Sequence, residues 1–449
     1  MSTPGALAPQ RWHRLIPLAF VTYSLAYVDR SNYSLGAAGG LEHSLHITSA
    51  ETGLLGGLFF IGYFLFQVPA ASFAERRSVK TLMFWSLLGW GVFAAAQGII
   101  PWYPLLLVDR FLLGVVEAAV IPAMLVFLTH WFTDSERGRA DTFLILGNPV
   151  TLLWMSIISG YLIAATSWRW MFIIEGLPAI VWAFAFRALV ADRPADARWL
   201  APAEADAIVQ QLSAEQAGIA EVGGYRAAFA SRNVVLLAVQ YALWSIGVYG
   251  FVFWLPTIIK SGGSGHSIAT TGLLSAVPYA LATILMLAAS YASDRSGHRR
   301  VFVWPFLLIG TAAFYGSYAV GTSHFGVSFA LLVVAGGVMY APYGPYFAFI
   351  PEFLPTNVAG PAMGLINAFG ALGGFAGAYV VGVLGGGSRS DGAFVFMAAA
   401  LAGSAVLMLF VKRPTAVAPL AAAPSRLRTP VGPVLVSVRA LHGGRLKTF

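Results

Sequence analysis

Ionisable residues lie inside two long apolar stretches of the sequence, where a charge is costly. Asp29 and Arg30 lie in the first stretch, and Asp109, Arg110 and Glu117 lie in a later one; we take Asp29, Arg30, Arg110 and Glu117 as one set. Ionisable groups at such positions are functional candidates by default. Because a guanidinium group is a planar fork that matches a carboxylate, we predict that Arg30 binds an anionic ligand.

The two carboxylates of this set could carry protons. Burial and a neighbouring arginine have opposite effects on the proton affinity of a carboxylate. Asp29 or Glu117 could therefore bind a proton on one side of a membrane and release it on the other. The alternative is a purely structural network, in which Asp29 pairs with Arg110, Arg30 pairs with Glu117, and the pairs only hold two segments together.

The spacing of the four residues predicts that they meet. Arg110 and Glu117 are seven residues apart, which is nearly two helical turns and places both on one helix face. Arg30 lies about four residues, or roughly 6 Å, past the centre of its segment. Because the segment that contains Arg110 crosses the membrane in the opposite direction, Arg110 lies on the same side of the centre as Arg30. We therefore predict one polar cavity shared by the two segments.

The composition indicates that lipid is the solvent of most of the chain. Of the 449 residues, 58% are hydrophobic and 10% are charged, whereas soluble domains carry about 25% charged residues. Cysteine is absent, which excludes disulfides and thiolate metal sites. The first apolar stretch meets no small-residue cleavage site, so we interpret it as a membrane span and not as a signal peptide.

Hydropathy predicts an all-α membrane protein with twelve transmembrane helices in two pseudo-symmetric groups of six. A helix needs about 20 apolar residues to span the hydrocarbon core, and backbone groups in lipid must bond within their own segment. The predicted spans are 15–37, 52–73, 80–100, 104–130, 141–165, 169–190, 232–259, 269–293, 300–320, 326–350, 359–384 and 391–411.

Basic residues are concentrated in the gaps on one side of these spans. The opposite gaps hold only Arg169, Lys260 and Arg389. The positive-inside rule therefore predicts a multi-pass protein of the cytoplasmic (inner) membrane with both termini in the cytoplasm. The predicted organisation is an N-terminus over 1–14, a six-helix bundle over 15–190, a cytoplasmic central loop over 191–231, a second bundle over 232–411 and a basic, disordered cytoplasmic tail over 412–449.

Two loops repeat one pattern. Glu75 and Arg76 follow the second span, and Asp294 and Arg295 follow the eighth, each within a small-x-x-x-acid-Arg-x-small-x-basic sequence. Internal repeats are typical of transporters, whose substrate site lies between the repeats. We predict gating loops in which the acid caps a neighbouring helix and the arginine pairs with a carboxylate. The alternative is a pair of ordinary cytoplasmic loops.

These loops resemble the signature loop of the major facilitator superfamily, Gly-x-x-x-Asp-Arg-x-Gly-x-basic-basic. The first copy departs from that pattern, because Ala71 and Ser78 replace the glycines and Glu75 replaces the aspartate. The resemblance implies the major facilitator fold.

Most of residues 12–412 resembles the anion:cation symporter family within that superfamily. The motifs that carry the resemblance are Tyr27-x-Asp29-Arg30-x-Asn32, Arg110-x-x-x-Gly114-x-x-Glu117-Ala and Trp168-Arg169-Trp170-Met-Phe-Ile-Ile-Glu175-Gly176-x-Pro178. Members of this family take up organic anions with protons. The resemblance implies a substrate arginine at Arg30, proton-binding acids at Asp29 and Glu117, and a coupling arginine at Arg110. Tyr27 and Asn32 belong to the same motif and are counted with the substrate site.

Further candidates line the later spans. Gln240, Tyr340 and Tyr343 could form the cavity wall, although packing or an interfacial aromatic belt explains aromatic residues equally well. Asn367 matches the first asparagine of the family's Asn-x-x-Gly-Asn motif, whereas Ala371 replaces the second. The lost amide favours a less hydroxylated substrate. Glu175 is predicted to stabilise the outer end of its helix and is left out of the substrate site.

We therefore predict a secondary active transporter and not an enzyme. It would take up an organic carboxylate (a sugar acid, a dicarboxylate or an aromatic acid) with protons by alternating access, using the proton gradient and no cofactor. Its partners would be the small anionic solute, protons and membrane lipid, without nucleic acid, in a monomeric protein. The alternatives are an exporter or exchanger on the same scaffold, a non-transporting solute sensor, and an intramembrane enzyme.

Overall fold

The computed structural model describes residues 9–216, 232–262, 265–321, 323–353, 356–385 and 391–411, without the side chains of 75, 134, 135, 351–353 and 356–361. The described residues belong to one compact unit. The predicted tail over 412–449, Arg389, the first eight residues and the last part of the central loop lie outside them.

The described residues form sixteen α-helices and no strand. The helices are α1 Gln10–Gly36, α2 Glu42–Leu45, α3 Ser49–Arg76, α4 Val79–Ile99, α5 Tyr103–Glu117, α6 Val120–Thr129, α7 Asp134–Ala165, α8 Trp168–Leu189, α9 Pro202–Gln216, α10 Arg232–Gly262, α11 Ile268–Ser296, α12 Trp304–Val320, α13 Phe325–Tyr340, α14 Tyr343–Phe353, α15 Thr356–Val383 and α16 Asp391–Phe410. A π-helical segment, Ala37–Leu41, connects α1 to α2, and 3-10 turns lie at Pro194–Asp196 and Arg299–Phe302.

Eleven helical segments of the described part are long and apolar enough to cross a membrane. α5 and α6 together form one of them, as do α13 and α14. α1 adds a twelfth. Its 27 residues reach about 40 Å at 1.5 Å per residue, although the charged residues along it make it less apolar than the others. The all-helical, twelve-span fold predicted from the sequence is thus confirmed, while the bounds of the two bundles stay a prediction.

Short polar sequences fix where several helices begin. Thr48 and Glu51 form a capping box at the start of α3, since each side chain bonds the backbone of the other residue. Ser267 accepts a hydrogen bond from the backbone amide of Thr270 at the start of α11. Such caps satisfy amide groups that have no partner within the helix. α3 therefore begins three residues before its predicted span, and α11 one residue before its own.

The helices pack in two groups that meet mainly along four of them. In the first group α1 packs on α7, α3 on α5 and α4 on α8. In the second group α10 packs on α15 and α16, and α11 on α13. The groups meet mainly where α3 contacts α15 and where α7 contacts α11, with a smaller contact between α1 and α10.

The contacts between the groups are closest at one end of the molecule. Following the predicted orientation, we call the end at which α1 and α10 finish the outer end. A Cβ atom at Gly53 of α3 would lie 2.7 Å from the carbonyl oxygen of Ala378 in α15. A Cβ at Gly272 of α11 would overlap the carbonyl oxygen of Ser156 in α7. Lys260, at the end of α10, donates a hydrogen bond to the Ala38 carbonyl of the π-helical segment.

Candidate binding site

Arg30 and Glu117 form a buried ion pair between α1 and α5. The Nε atom of Arg30 donates to Oε1 of Glu117 at 3.1 Å, and Nη2 donates to the same oxygen. Arg30 is 5% exposed and Glu117 is fully buried. The pairing is the one that the structural alternative predicted, and it places the candidate substrate arginine directly on a candidate proton acceptor.

The close approach of α5 to α3 positions Glu117. A Cβ at Gly114 would overlap the carbonyl oxygen of Phe59 in α3, so only glycine fits at this contact. Glu117 lies three residues later, at the last residue of α5. The following turn precedes Pro122, which has no N–H to continue the helical bonding. The helix is thereby interrupted next to the ion pair.

Three aromatic rings surround the guanidinium group of Arg30. Its Cζ atom lies 4.9 Å from the ring centroid of Tyr27, 5.3 Å from that of Phe59 and 4.8 Å from that of Tyr63. Aromatic faces attract a cation, and more so where water is excluded. The cage fixes the guanidinium group and leaves Nη1 with a long contact, 3.5 Å, to the hydroxyl of Tyr249. Tyr249 belongs to α10, in the other group of helices.

Asp29 and Arg110 do not form the direct pair that the structural alternative predicted. Asp29 is buried and its Oδ2 accepts a hydrogen bond from Nε1 of Trp90, while Oδ1 has no hydrogen-bond partner among the described residues. Arg110 donates to the carbonyl of Leu55 and to Oε1 of Gln97, both at 3.4 Å. It still interacts electrostatically with Asp29 and Glu117, so the four charged residues do lie together.

Tyr27 and Asn32 are held by partners within the first group of helices. The hydroxyl of Tyr27 accepts a hydrogen bond from Nδ2 of Asn148 at 2.5 Å. The Nδ2 atom of Asn32 donates to Oε2 of Glu175 at 3.0 Å, and Ser159 donates to Oε1 of the same carboxylate at 2.5 Å. Glu175 thus connects α1, α7 and α8, which is more than the local helix-end role predicted from the sequence.

The predicted cavity-wall residues of the second group contact other residues of that group. Tyr340 stacks on Tyr343 with ring centroids 5.4 Å apart, and Tyr343 lies 4.6 Å from Trp244. Gln240 donates to Ser404 in α16 at 2.9 Å. Asn367 is partly buried in α15. The structure brings none of these four predicted residues into a described contact with Arg30, so their role in binding stays a prediction.

In the second of the two predicted gating loops, the described hydrogen bonds differ from the predicted ones. Asp294 accepts from Arg299 of its own loop at 2.6 Å, and Arg295 donates to Tyr291 of its own helix at 3.4 Å. Neither contact is a cap on a neighbouring helix. In the first loop Arg76 is exposed at the end of α3, and the side chain of Glu75 lies outside the described residues.

A different acid caps α4. Asp192, from the segment after α8, accepts from the backbone amide of Lys80 at 2.7 Å and from the hydroxyl of Ser78 at 2.5 Å. The sequence offered no signal for this contact, because Asp192 is 112 residues away from Lys80 and lies in a polar stretch.

Sequence reasoning also missed neutral members of the site, namely Trp90, Gln97, Asn148 and Tyr249. Gln97 and Asn148 are polar side chains buried within apolar spans, which is the signal by which the charged residues were found. Nothing in the sequence marks Trp90 or Tyr249 among the many aromatic residues.

Apolar helices long enough to cross a membrane, packed around buried charges, are typical of a membrane transporter, and comparison with known proteins agrees. The Major Facilitator Superfamily model matches residues 19–378 and, separately, 264–442. A putative tartrate transporter of Agrobacterium vitis is 31% identical over 409 residues, covering 89% of this chain and 90% of the relative. The quinolone resistance transporter of Acinetobacter baumannii is 30% identical, covering 83% and 86%.

A solved structure shares the fold. The inward-open xylose transporter XylE from E. coli superposes with a TM-score of 0.70 at 13% identity, covering 89% of this chain and 97% of that one. The chain belongs to the Major Facilitator Superfamily. It is a membrane transporter and not an enzyme.

Proposed function

We propose that the chain carries an organic carboxylate into the cell together with protons. The observation that supports this most is the buried pair of Arg30 and Glu117, because it puts an anion-binding fork and a titratable carboxylate on one contact. The relative from Agrobacterium vitis is described as a putative tartrate transporter, and tartrate is a dicarboxylate. The predicted inner-membrane location, cytoplasmic termini and monomeric state belong to this proposal.

Competition for Arg30 would couple the substrate to the proton. A substrate carboxylate that binds Arg30 displaces Glu117 from it. A buried carboxylate that has lost its partner is strongly destabilising while it is charged, but not once it is protonated. Substrate therefore binds stably only when Glu117 has taken up a proton. When the proton leaves on the inner side, Glu117 recovers Arg30 and the substrate is released.

Glu117→Gln tests this coupling. The amide is a permanent mimic of the protonated acid, so we expect the variant to bind and exchange organic acid across proteoliposome membranes without accumulating it against a gradient. Wild-type protein should accumulate the labelled acid when the outside is acidic, and should lose accumulation when an ionophore removes the pH gradient. Tartrate, D-galactonate and benzoate serve as labelled probes.

Asp206→Asn is the matched control, since Asp206 is an exposed acid on α9 and its variant should accumulate acid as the wild type does. Accumulation by Glu117→Gln that still follows the pH gradient would contradict the proposed coupling. A wild type that binds none of the acids would contradict the substrate class.

Export is the second candidate, because a 30% identical relative is described as a quinolone resistance transporter. An exporter driven by proton exchange would expel the acid from vesicles when the opposite compartment is acidic. Measuring labelled acid with the pH gradient imposed in each direction separates the two, since co-transport moves the acid with the protons and exchange moves it against them.

A further inference from the structure

We propose that Tyr249 is a substrate-binding residue whose hydroxyl donates to the carboxylate held by Arg30, so that the bound anion connects the two groups of helices. This inference rests on the proposed function, because it names a second residue for the same carboxylate. Tyr249 and Arg30 are 219 residues apart in sequence and belong to different groups of helices.

The existing contact leaves the phenol with unused hydrogen-bonding capacity. A guanidinium group only donates, so the Tyr249 oxygen accepts from Nη1 of Arg30 at 3.5 Å. This distance is longer than the usual range for such bonds. Among the described contacts the phenol proton has no acceptor. Tyr249 is also partly exposed, whereas Tyr27 and Tyr63 on the other side of Arg30 are buried.

Packing, and not this long contact, fixes the ring of Tyr249. Its centroid lies 4.6 Å from that of Phe60, a residue of α3. Phe60 is itself held against α15, because a Cβ at Gly374 would lie 2.7 Å from the Phe60 ring. The Tyr249 hydroxyl is therefore presented to Arg30 by ring contacts, and a ligand can take up its proton without disturbing the fold.

The geometry at Arg30 suits a carboxylate oxygen shared by the two groups. In the ligand-free pair Glu117 occupies Nε and Nη2 through one oxygen, so Nη1 is the nitrogen that a substrate carboxylate contacts before it displaces Glu117. Charge-assisted hydrogen bonds are about 2.7–2.9 Å long. Two donors that lie 3.5 Å apart, such as Nη1 and the Tyr249 hydroxyl, can both bond one oxygen at such distances. On binding, the phenol would change from acceptor to donor.

A bridging carboxylate gives the second group of helices a direct contact with the substrate. Without it, the long Tyr249 contact is the only hydrogen bond from the described residues of that group to the guanidinium. With it, α1 and α10 bind the same oxygen. The substrate would then favour a state in which the two groups are close at the site. A carrier passes through such a closed, substrate-bound state before it opens to the other side.

Tyr249→Phe tests the inference, because it removes the hydroxyl and keeps the ring on Phe60. A hydrogen bond to a charged group contributes about 1.5–3 kcal/mol, so the Kd for the carboxylate should rise at least about tenfold. Binding of labelled tartrate, D-galactonate and benzoate to purified protein would be measured beside binding of the corresponding neutral amides. The loss should be confined to the acids, because an uncharged amide is a far weaker acceptor. The pH dependence of binding, which Glu117 controls, should not move.

Two further variants keep the test decisive. Tyr315→Phe removes a hydroxyl from a half-exposed ring on α12 and should leave binding as in the wild type. Tyr249→His keeps an aromatic ring and supplies an N–H donor, so it should retain part of the affinity that Tyr249→Phe loses. It also provides a second test of the hydroxyl if the Phe variant is unstable. Equal Kd values for the wild type and Tyr249→Phe would overturn the role of Tyr249 while the proposed function stands. A wild type that binds none of the acids would overturn both.

Discussion

Glu117 uses one oxygen for both of its bonds to Arg30, and its Oε2 has no hydrogen-bond partner among the described residues. Asp29 likewise has a buried oxygen without a partner. Buried polar atoms normally have hydrogen-bond partners, and a buried carboxylate oxygen without one is a candidate for binding and releasing a proton. Each carboxylate therefore has a free position at which a proton can be held.

Arg30→Ala should destabilise the protein mainly through the charge that it leaves behind. Removing one partner of a buried ion pair costs about 3–5 kcal/mol, much of which comes from the uncompensated charge. We expect a clear fall in Tm in detergent, and we expect Arg30→Ala combined with Glu117→Gln to recover most of it. Thermal unfolding of the two single variants, the double variant and the wild type measures this. An additive double variant would show that the two side chains do not form the pair described above.

The charged residues of the site could be predicted because hydropathy makes them conspicuous, and so could the pairing of Arg30 with Glu117, whereas the partners of Asp29 and Arg110 could not. A sequence gives the face of a helix on which Arg110 lies, but the rotation of that helix against its neighbours decides whether the guanidinium group meets Asp29 or Gln97. Here Arg110 turns to Gln97 and the Leu55 carbonyl, and Trp90 takes Asp29. These choices depend on packing between helices that are distant in sequence.

Gly272 and Gly53 let helices from the two groups touch at the outer end. At Gly272 the backbone of α11 meets Ser156 of α7 with no room for a side chain. Small residues allow such close helix approach in membranes, where association depends on packing contacts. The outer end is therefore closed by backbone contact, while Lys260 adds a single side-chain bond to Ala38.

Gly272→Val should shift the carrier toward an outward-open state. The added side chain would overlap α7, so closure at this end becomes unfavourable. The absence of cysteine from the chain makes this measurable, because a single cysteine introduced at the fully buried Thr271 is the only thiol present. Labelling from outside by a membrane-impermeant maleimide should become faster in the Gly272→Val background.

Gly326→Val is the control for this measurement, since nothing lies within 4 Å of a Cβ at Gly326. It should leave the labelling rate at Thr271→Cys unchanged. If Gly272→Val labels no faster than this control, the α7–α11 contact does not limit opening.

The helices themselves were largely predictable, because twelve long apolar runs leave few other structures in lipid. What hydropathy could not give is where a helix is interrupted or extended. The π-helical segment Ala37–Leu41 continues α1 beyond its predicted end, and Gly40 within it has a φ of 110°, a conformation that favours glycine. The break between α5 and α6 beside Glu117 was also unexpected, since residues 104–130 were predicted to form one uninterrupted span.

The first group of helices holds a set of charges, on α1 and α5, that sums to zero when Asp29, Glu117, Arg30 and Arg110 are all ionised. The net charge moved in one transport cycle depends on how many of the carboxylates of this set are protonated while the acid is carried. A singly charged acid carried with one proton moves no net charge, whereas the same acid carried with protons on both Asp29 and Glu117 moves one positive charge. Each such charge gains about 2.3 kcal/mol per 100 mV of membrane potential.

Two carboxylates beside Arg30 thus make the carrier able to draw on voltage as well as on acidity. We expect benzoate uptake into proteoliposomes to increase when a potassium gradient with valinomycin makes the interior negative, at equal pH on both sides. Asp29→Asn should abolish that increase, because one of the two proton positions is gone. Uptake that is insensitive to voltage in the wild type would instead mean that only one carboxylate is protonated per cycle. The pH gradient alone would then drive transport.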